Sequence, residues 1–496
     1  MDSAQDSRSE RRVSLARKPE ACAYPGLEAA PYHPSERYPE YPGPLAASLN
    51  PAYALVRESL AGLGLDAARY GTPEWNPFGD LVKPGGRIVV KPNWVLHANE
   101  GPGGTDCLIT HASILRAVLD YVLLARPAAV VVGDAPVQVC HFEKVQALGF
   151  DRVAAYFRQL GAPITVKDFR RTTMVREEHA AQVSVERHAL DEFVLVDLGA
   201  RSQLEPIAQD YRKFRVTMYD PRKLPRNHQP GVHRYLVARD ILEADLVVNV
   251  PKLKTHKKAG LTCALKNLVG INGNKDFLPH HRKGGADHGG DNYAASSLPK
   301  WLAEATLDFA NRHLDWPRFY ARVSRFAYRF LFFDRIRGKS IDVEGGWYGN
   351  DTVWRMCLDL NKVLLYAGPD GRLHATPQRA VLSLADALIA GQGDGPLRSD
   401  PRPFGAVLAA ANPAALDWVA ALAIGLDPAR IPISAHAFGG PDLPLTDFSP
   451  NQITLMDNGQ PVALADLRPA QPPFTVPAGW RGHCELAPAP HAASTS

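Results

Sequence analysis

The stretch that decides the fold is ADLVVNV (Ala244–Val250), followed at once by PKLKTHKKAGLTCALKNLVG (Pro251–Gly270). The first seven residues form a near-continuous apolar, β-branched run, the pattern of a strand buried on both faces of a parallel sheet. Directly after it stand Lys252, Lys254, His256, Lys257, Lys258 and, further on, Lys266. A solvated turn needs one or two polar residues, so this crowd of cationic and titratable side chains points to an anionic partner. LTCALKNLVG then has helical spacing and stops at Gly270. Backbone N–H groups at such a helix start attract anions, and neighbouring lysines add charge, so the physical reading is phosphate or carboxylate recognition. Crowded lysines also depress one another's pKa, which can leave one amine neutral and nucleophilic. Lys266 is the candidate for that role; the plainer reading makes it an exposed helix lysine.

Working outward, RIVVK (Arg87–Lys91), AAVVVGD (Ala128–Asp134), PITVKDF (Pro163–Phe169) and EFVLVDL (Glu192–Leu198) read as further buried strands. HASILRAVLDYVLLA (His111–Ala125) has apolar residues at helical spacing, with Thr110 as N-cap candidate. Strands alternating with helices predict an α/β fold with a mostly parallel, doubly wound sheet. A second α/β block follows in NKVLLYAG (Asn361–Gly368), RAVLSLADALIAGQGDGP (Arg379–Pro396), FGAVLAAANPAALDWVAALAIGL (Phe404–Leu426) and QITLM (Gln452–Met456). It either extends the same sheet or forms a second lobe. Between the blocks, Leu298–Lys339 predicts two helices broken at Pro317. The second carries Phe319, Val323, Phe326, Phe330 and Leu331 on one face and Arg318, Arg322, Arg325 and Arg329 on another, as a helix at a membrane surface or a partner protein does. A helix packed over the mouth of the fold would look the same. The resulting division is an extended or disordered arm (1–45), a first α/β domain with a lysine-rich crevice (46–297), a helical insertion (298–345), the second block (346–468) and a tail (469–496).

Composition bounds the partners. The 496 residues carry 56 basic and 52 acidic side chains, a formal charge of +4, so no global field favours nucleic acid and any basic site is local. The 6 cysteines are scattered, with no C-x-x-C pair; no iron–sulfur cluster is expected, and a reducing compartment fits. The N-terminal MDSAQDSRSERRVSLARKPE has paired arginines but no apolar segment after them, and no run approaches a membrane span, so a cytoplasmic location is expected.

In open parallel sheets ligands bind beyond the carboxyl ends of the strands. Three strands end in KPNW, GDAPVQ and NVPKLKTHKKAG. If they neighbour one another, Lys91, Asn93, Asp134, Lys252, Lys254 and His256 converge on one crevice, with Lys266 and Asn267 on the helix that follows. Each residue alone reads equally as a surface lysine or a turn aspartate. NGNKDFLPHHRKGGADHGGDNY (Asn272–Tyr293) reads as a mobile lid, with His280, His281, His288 and Asp291 as weak metal-ligand candidates. GNDTVWRMCLDLNK (Gly349–Lys362) places Arg355, a substrate-binding candidate, with Asp351, Trp354, Asp359 and Asn361 before a strand. GQGDGP (Gly391–Pro396) sets Gly391 and Gly393 around Asp394, either a backbone approach to a cofactor or a plain turn. Asp417 either reaches the same cleft or caps its own helix. No G-x-S-x-G, H-E-x-x-H or Walker sequence occurs.

Taken together, VVKPNW, VVGDAP, NVPKLKTHKKAGLTCALKNLVGING, GNDTVWRMCLDLNK and DALIAGQGDGP resemble the domain of unknown function family DUF362, from about residue 80 to about residue 435. Some relatives carry ferredoxin-like cysteine motifs, which this chain lacks. The segment from His256 through Ala259 and Gly260 to Lys266 is also similar to the lactate racemase family, in which a histidine acts as acid/base and a lysine is attached to a nickel-pincer nucleotide. That resemblance implies proton transfer by His256, a cofactor-bearing Lys266 and a substrate crevice at Lys91 and Asn93, with His111 and His281 as guesses for the remaining histidines. The expectation is an enzyme, racemase- or epimerase-like in its sharpest form, acting on a small carboxylated or phosphorylated metabolite. In it His256, Lys266 and Asp134 are catalytic candidates. The alternative is a ligand-binding or accessory protein that uses the same crevice without turnover and docks through residues 317–339.

Overall fold

Leu246–Val250 is buried along its whole length and lies between two parallel neighbours, as an uninterrupted apolar run requires. The computed structural model of the chain describes residues 10–487, except 21, 177–181, 337, 339 and 441. An 11-stranded sheet forms the centre. In chain order its strands are β1 (Arg12–Arg17), β2 (Arg87–Pro92), β3 (Ala129–Asp134), β4 (Ile164–Asp168), β5 (Leu246–Val250), β6 (Lys252–His256), β7 (Gly260–Thr262), β8 (Ala380–Gln392), β9 (Asp400–Ala410), β10 (Thr454–Asp457) and β11 (Gln460–Val462). They run in the order β11-β10-β1-β9-β8-β5-β2-β3-β4, with β6 pairing β8 and β7. Pairings from β8 through β5, β2 and β3 to β4 are parallel, while β9 meets β8 and β1 antiparallel. The molecule is thus a mixed α/β fold around one large, mostly parallel sheet, to which both sequence blocks contribute.

Alternation along the strands makes two cores. Val89 and Val247 face one, with α7 (Val353–Tyr366) and α8 (Pro413–Ala423) covering it. Ile88, Val90 and Val248 face the other, under α1 (Pro51–Gly62), α2 (Ala112–Leu124) and α3 (Phe150–Gln159). Helices on both faces let the parallel strands be apolar throughout. The remaining helices used below are α4 (Ala264–Asn267), α5 (Leu298–Asn311) and α6 (Pro317–Phe330).

Several elements differ from the sequence reading. Residues 1–45 do not form a loose arm throughout: β1 runs between β9 and β10, with Val13 and Leu15 buried in one core and Ala16 in the other. Six residues between polar flanks give too short a period to stand out. EFVLVDL does form a strand, Phe193–Asp197, but it pairs antiparallel with Val232–Ala238 in a separate small sheet. Asn361–Tyr366 belongs to α7 and not to a strand; Asn350 Oδ1 accepts the Thr352 and Val353 N–H groups and starts the helix upstream, and the leucines of NKVLLY complete its buried face. The α2 N-cap is His111, one residue beyond Thr110. In the tail, Phe474, Trp480 and Cys484 are buried against the body, the Trp480 indole donating to Lys257 O at 2.8 Å. Among the described residues, no helix is long and apolar enough to cross a membrane.

Candidate functional site

Because β5, β2 and β3 are adjacent, their C-terminal ends open together, and Asn249 stands beside Lys91 in register. The chain then turns through Pro251 into β6, which carries Lys254 and His256 to the same end. The next turn, α4, supplies Lys266 and Asn267.

Buried amides join these elements. Asn249 Nδ2 donates to Ala264 O, and Asn249 Oδ1 accepts from Asn267 Nδ2 at 2.7 Å. Asn267 Oδ1 in turn accepts from Asn93 Nδ2 at 2.8 Å and from Lys91 Nζ at 3.1 Å, while Asn93 Oδ1 accepts from Lys254 Nζ at 3.1 Å. Each amide has one orientation that satisfies all its partners, so the relay sets the position of both lysines. Lys91 is completed by Asp134 at 2.7 Å and Pro92 O at 2.8 Å, and Asp134 also accepts the Trp94 N–H at 2.7 Å. Asp134 is therefore engaged as a buried counter-ion.

Five lysines meet here. Lys91, Lys254, Lys258, Lys266 and Lys275 have one ion-paired carboxylate between them, Asp134, among the described residues. Burial lowers the pKa of each, most strongly for Lys254, to about 8 for Lys258 and to about 7 for Lys275. The charge of Lys266 contributes to the depression at Lys91, Lys254, Lys258, Lys275, His256 and His280, which places its amine at the hub. Lys266 is half-buried, and its Nζ has no hydrogen bond or ion pair among the described residues. Buried cations with so little compensation cost folding free energy, and an anion among them would recover it.

Two histidines sit beside this cluster with opposite tautomers. His256 Nδ1 accepts the N–H groups of Lys258 and Ala259, both at 3.0 Å. The neutral ring must then carry its hydrogen on Nε2 and act as a donor. His280 Nδ1 lies 2.7 Å from Leu278 O, a carbonyl that only accepts, so its hydrogen is on Nδ1 and its Nε2 keeps a lone pair. Burial and the surrounding lysines hold both pKa values well below the ordinary histidine range. His256, expected to transfer a proton, is thus built as a hydrogen-bond donor, and His280, first read as a metal-ligand candidate, has the free base.

Other expected site residues lie elsewhere or are already occupied. Lys252 uses its donors on Asp386 at 2.8 Å, Tyr24 Oη at 2.7 Å and Ile389 O at 3.2 Å. Arg355 is already engaged: it pairs with Asp351, donates to Gln203 O and covers the Trp354 ring. Gly391 and Gly393 serve packing: a side chain at Gly391 would strike Cys107 O and Lys254 Cβ at 2.7 Å, and Gly393 O accepts from Thr255. Asp394 is exposed and accepts the Ala478 N–H. Asp291 accepts from Arg282 N, Thr352 Oγ1 and Asp351 N, and His288 lies exposed beside Asp287, so the four metal-ligand candidates do not share one centre. His281 is buried, and its Nδ1 has no hydrogen-bond partner among the described residues. Among the described residues, no group of three or more His, Cys, Asp or Glu is placed to hold a metal ion. His111 caps α2 and stacks on Tyr24 at 4.0 Å beside a separate cavity of about 250 Å³.

The helix start expected to attract anions is also occupied. Asp417 accepts the Ala264 N–H at 2.6 Å and the Leu265 N–H at 3.3 Å, so it caps α4, while Asn412 caps its own helix. Lys275 carried no signal in the sequence: it opens a single 3-10 turn, Lys275–Phe277, too short to show a period, and only the fold brings its amine to Ala135 O at 3.1 Å, next to Asp134.

The DUF362 family model, described as a domain of unknown function, matches residues 88–200 and 173–422. A thylakoid-associated protein of Synechocystis sp. is 25% identical over 199 residues, 40% of this chain, and the chain spans 38% of that relative's length. A crystal structure of a Thermotoga maritima protein aligns over 71% of this chain and 54% of its own, at 9% identity and a TM-score of 0.31. The family matches together cover more than half of the chain and include every strand end of the lysine cluster, and on that ground the chain belongs to the DUF362 family.

Proposed function

We propose that the lysine cluster binds a small, multiply charged metabolite bearing carboxylate or phosphate groups, and that the protein moves a proton on it in a racemase- or epimerase-like reaction. The observation that carries this reading is the set of five buried or half-buried lysines with one ion-paired carboxylate between them among the described residues, next to one histidine that donates and one that accepts. In this reading Lys254, Lys266 and Lys258 hold the ligand's negative charge. His280 Nε2 takes a proton from the carbon next to a carboxylate or carbonyl, and the electron pair left behind moves onto that oxygen. His256 Nε2–H donates to the oxygen, and Lys258, whose ammonium titrates at about 8, returns a proton to the carbon.

The lactate racemase likeness would add a nickel-pincer nucleotide on Lys266. One feature fits it, the amine without a hydrogen bond or ion pair; the steps above use this chain's own side chains and need no such group. A denaturing intact mass of protein from its own source, with peptide mapping, separates the two forms: extra mass on Lys266 supports the cofactor, and an unmodified Lys266 leaves the side chains alone.

The test of the reading itself is calorimetric titration with phosphate, pyrophosphate and small dicarboxylates, together with solvent deuterium incorporation into whichever binds. Binding with deuterium exchange that His280→Gln abolishes supports the enzyme. Binding without exchange favours a carrier or accessory protein, and no binding of any anion, with Lys254→Met as stable as the parent, sinks the crevice.

A further inference from the structure

The hairpin of α5 and α6 faces two ways. Its inner side is fastened by buried carboxylates: Glu304 accepts from Tyr293 Oη and Asn292 Nδ2, both at 2.6 Å, and Asp308 pairs with Arg215 and Lys283 at 2.8 Å. The small core beneath, Tyr293, Ala303, Leu331 and Val343, is separate from the two cores of the sheet. The outer side is aromatic and basic. Where the hairpin turns, Phe309, His313, Trp316 and Phe319 form one ring cluster with centroids 4.8–6.1 Å apart, yet Trp316 stays 65% exposed and Phe309 47%. Along α6, Ala327 is buried and the opposite stripe is Arg318, Arg322, Arg325 and Arg329, flanked by Phe326 and Tyr328, which are 50% and 47% exposed. None of these four arginines makes an ion pair among the described residues.

We propose that this hairpin is a docking surface for the headgroup layer of an anionic lipid bilayer. Charge complementarity selects that occupant. The outward stripe is arginine with no acidic residue in it, and arginine forks match lipid phosphates. The exposed rings are Trp, Phe and Tyr, the side chains that settle at the water–hydrocarbon boundary. The helix is short, and its apolar residues are interrupted by arginine every third or fourth position, so it lies on the surface and does not span. A protein partner would need a complementary acidic, shape-matched face; a bilayer needs only the charge and the rings.

The test is co-sedimentation of the full chain with vesicles of phosphatidylcholine alone and of phosphatidylcholine mixed with phosphatidylglycerol, at low and high salt. The expected result is binding to the mixed vesicles that salt reverses, and little to phosphatidylcholine. Arg322→Gln/Arg329→Gln should weaken it by roughly thirtyfold, at about 1 kcal/mol for each arginine near the surface. Both positions are exposed, and an unchanged far-UV spectrum and melting temperature show that the variant folds. A wild-type readout stands beside it: headgroup-proximal brominated lipid should quench tryptophan fluorescence, and Trp316→Phe, which keeps the ring cluster, should remove most of that quenching. Absence of binding to the mixed vesicles at low salt overturns the proposal, as does binding that ignores the arginine pair, or vesicle-free complex formation with a protein that shields Trp316.

Discussion

A Cβ at Gly270 would lie 1.9 Å from Asp134 Oδ1 and 2.6 Å from Lys91 Nζ. Glycine is required there because the buried ion pair occupies the space a side chain would take. Gly270→Ala should therefore cost about 3 kcal/mol or more, read from denaturant midpoints at constant slope, as overpacking that forces a buried ion pair apart does. A variant as stable as the parent would mean that the pair moves freely. At the same scale, His256 and His280 should separate in experiment. His256→Gln leaves an amide N–H that can still donate, so anion affinity should survive within about threefold. His280→Gln removes the lone pair of the base and should abolish exchange of the substrate proton while binding remains. If the His256 variant alone loses exchange, the roles are reversed. Chain position favoured His256, through its spacing to Lys266; which ring nitrogen is free depends on backbone groups two and three residues away, and no spacing encodes that.

At the scale of the element, α4 is too short to hold itself. A single turn of four residues has no stable existence in water, and it stands because Asp417 caps its first N–H groups while Asn361 Nδ2 donates to Leu265 O at 2.9 Å. Lys266 is thus positioned by helices far away in the chain. Asp417→Ala should cost about 1–3 kcal/mol by leaving those N–H groups buried and unpaired. It should also weaken pyrophosphate binding, whereas removing an exposed carboxylate should do neither. Burial raises the Asp417 pKa from 3.8 to about 7. The folded chain holds this proton more tightly than the unfolded one, so the contribution is fully present below about 4 and is lost as the pH rises through 7. Asp417→Asn should flatten that part of the stability profile, a change seen by melting the protein at a series of pH values.

For the whole molecule the lysines set the opposite trend at higher pH. Lys258 and Lys275 titrate at about 8 and about 7 in the folded chain against 10.5 in the unfolded one. The unfolded state binds more protons across that window, so stability without ligand should rise from about pH 7 toward 10. Anion binding reverses the sign, since it favours the charged amines: pyrophosphate affinity should fall as the pH passes 8, and calorimetry in buffers of different ionisation enthalpy should show proton uptake on binding. Stability that falls over this range, or binding without proton uptake, would mean that the amines are charged throughout.

Much of this was written along the chain. The apolar run Leu246–Val250, the β-branched runs beside it and the helical period of α2 determined an α/β fold with a mostly parallel sheet, because burial on two faces demands that pattern locally. The three polar strand ends likewise placed Lys91, Asn93, Asp134 and Lys254 together, since adjacent parallel strands open at one edge. Tertiary structure alone decided the rest. It turned Lys252 to Asp386 and brought in Lys275 from a single 3-10 turn. It gave the α4 N-terminus to Asp417, and it set the tautomers of His256 and His280. The physical reason is one of range and conformation: periodicity and strand ends are read from neighbours in sequence, whereas counter-ions and caps come from distant parts of the chain, and the free nitrogen of a histidine depends on how the fold turns backbone groups two and three residues away.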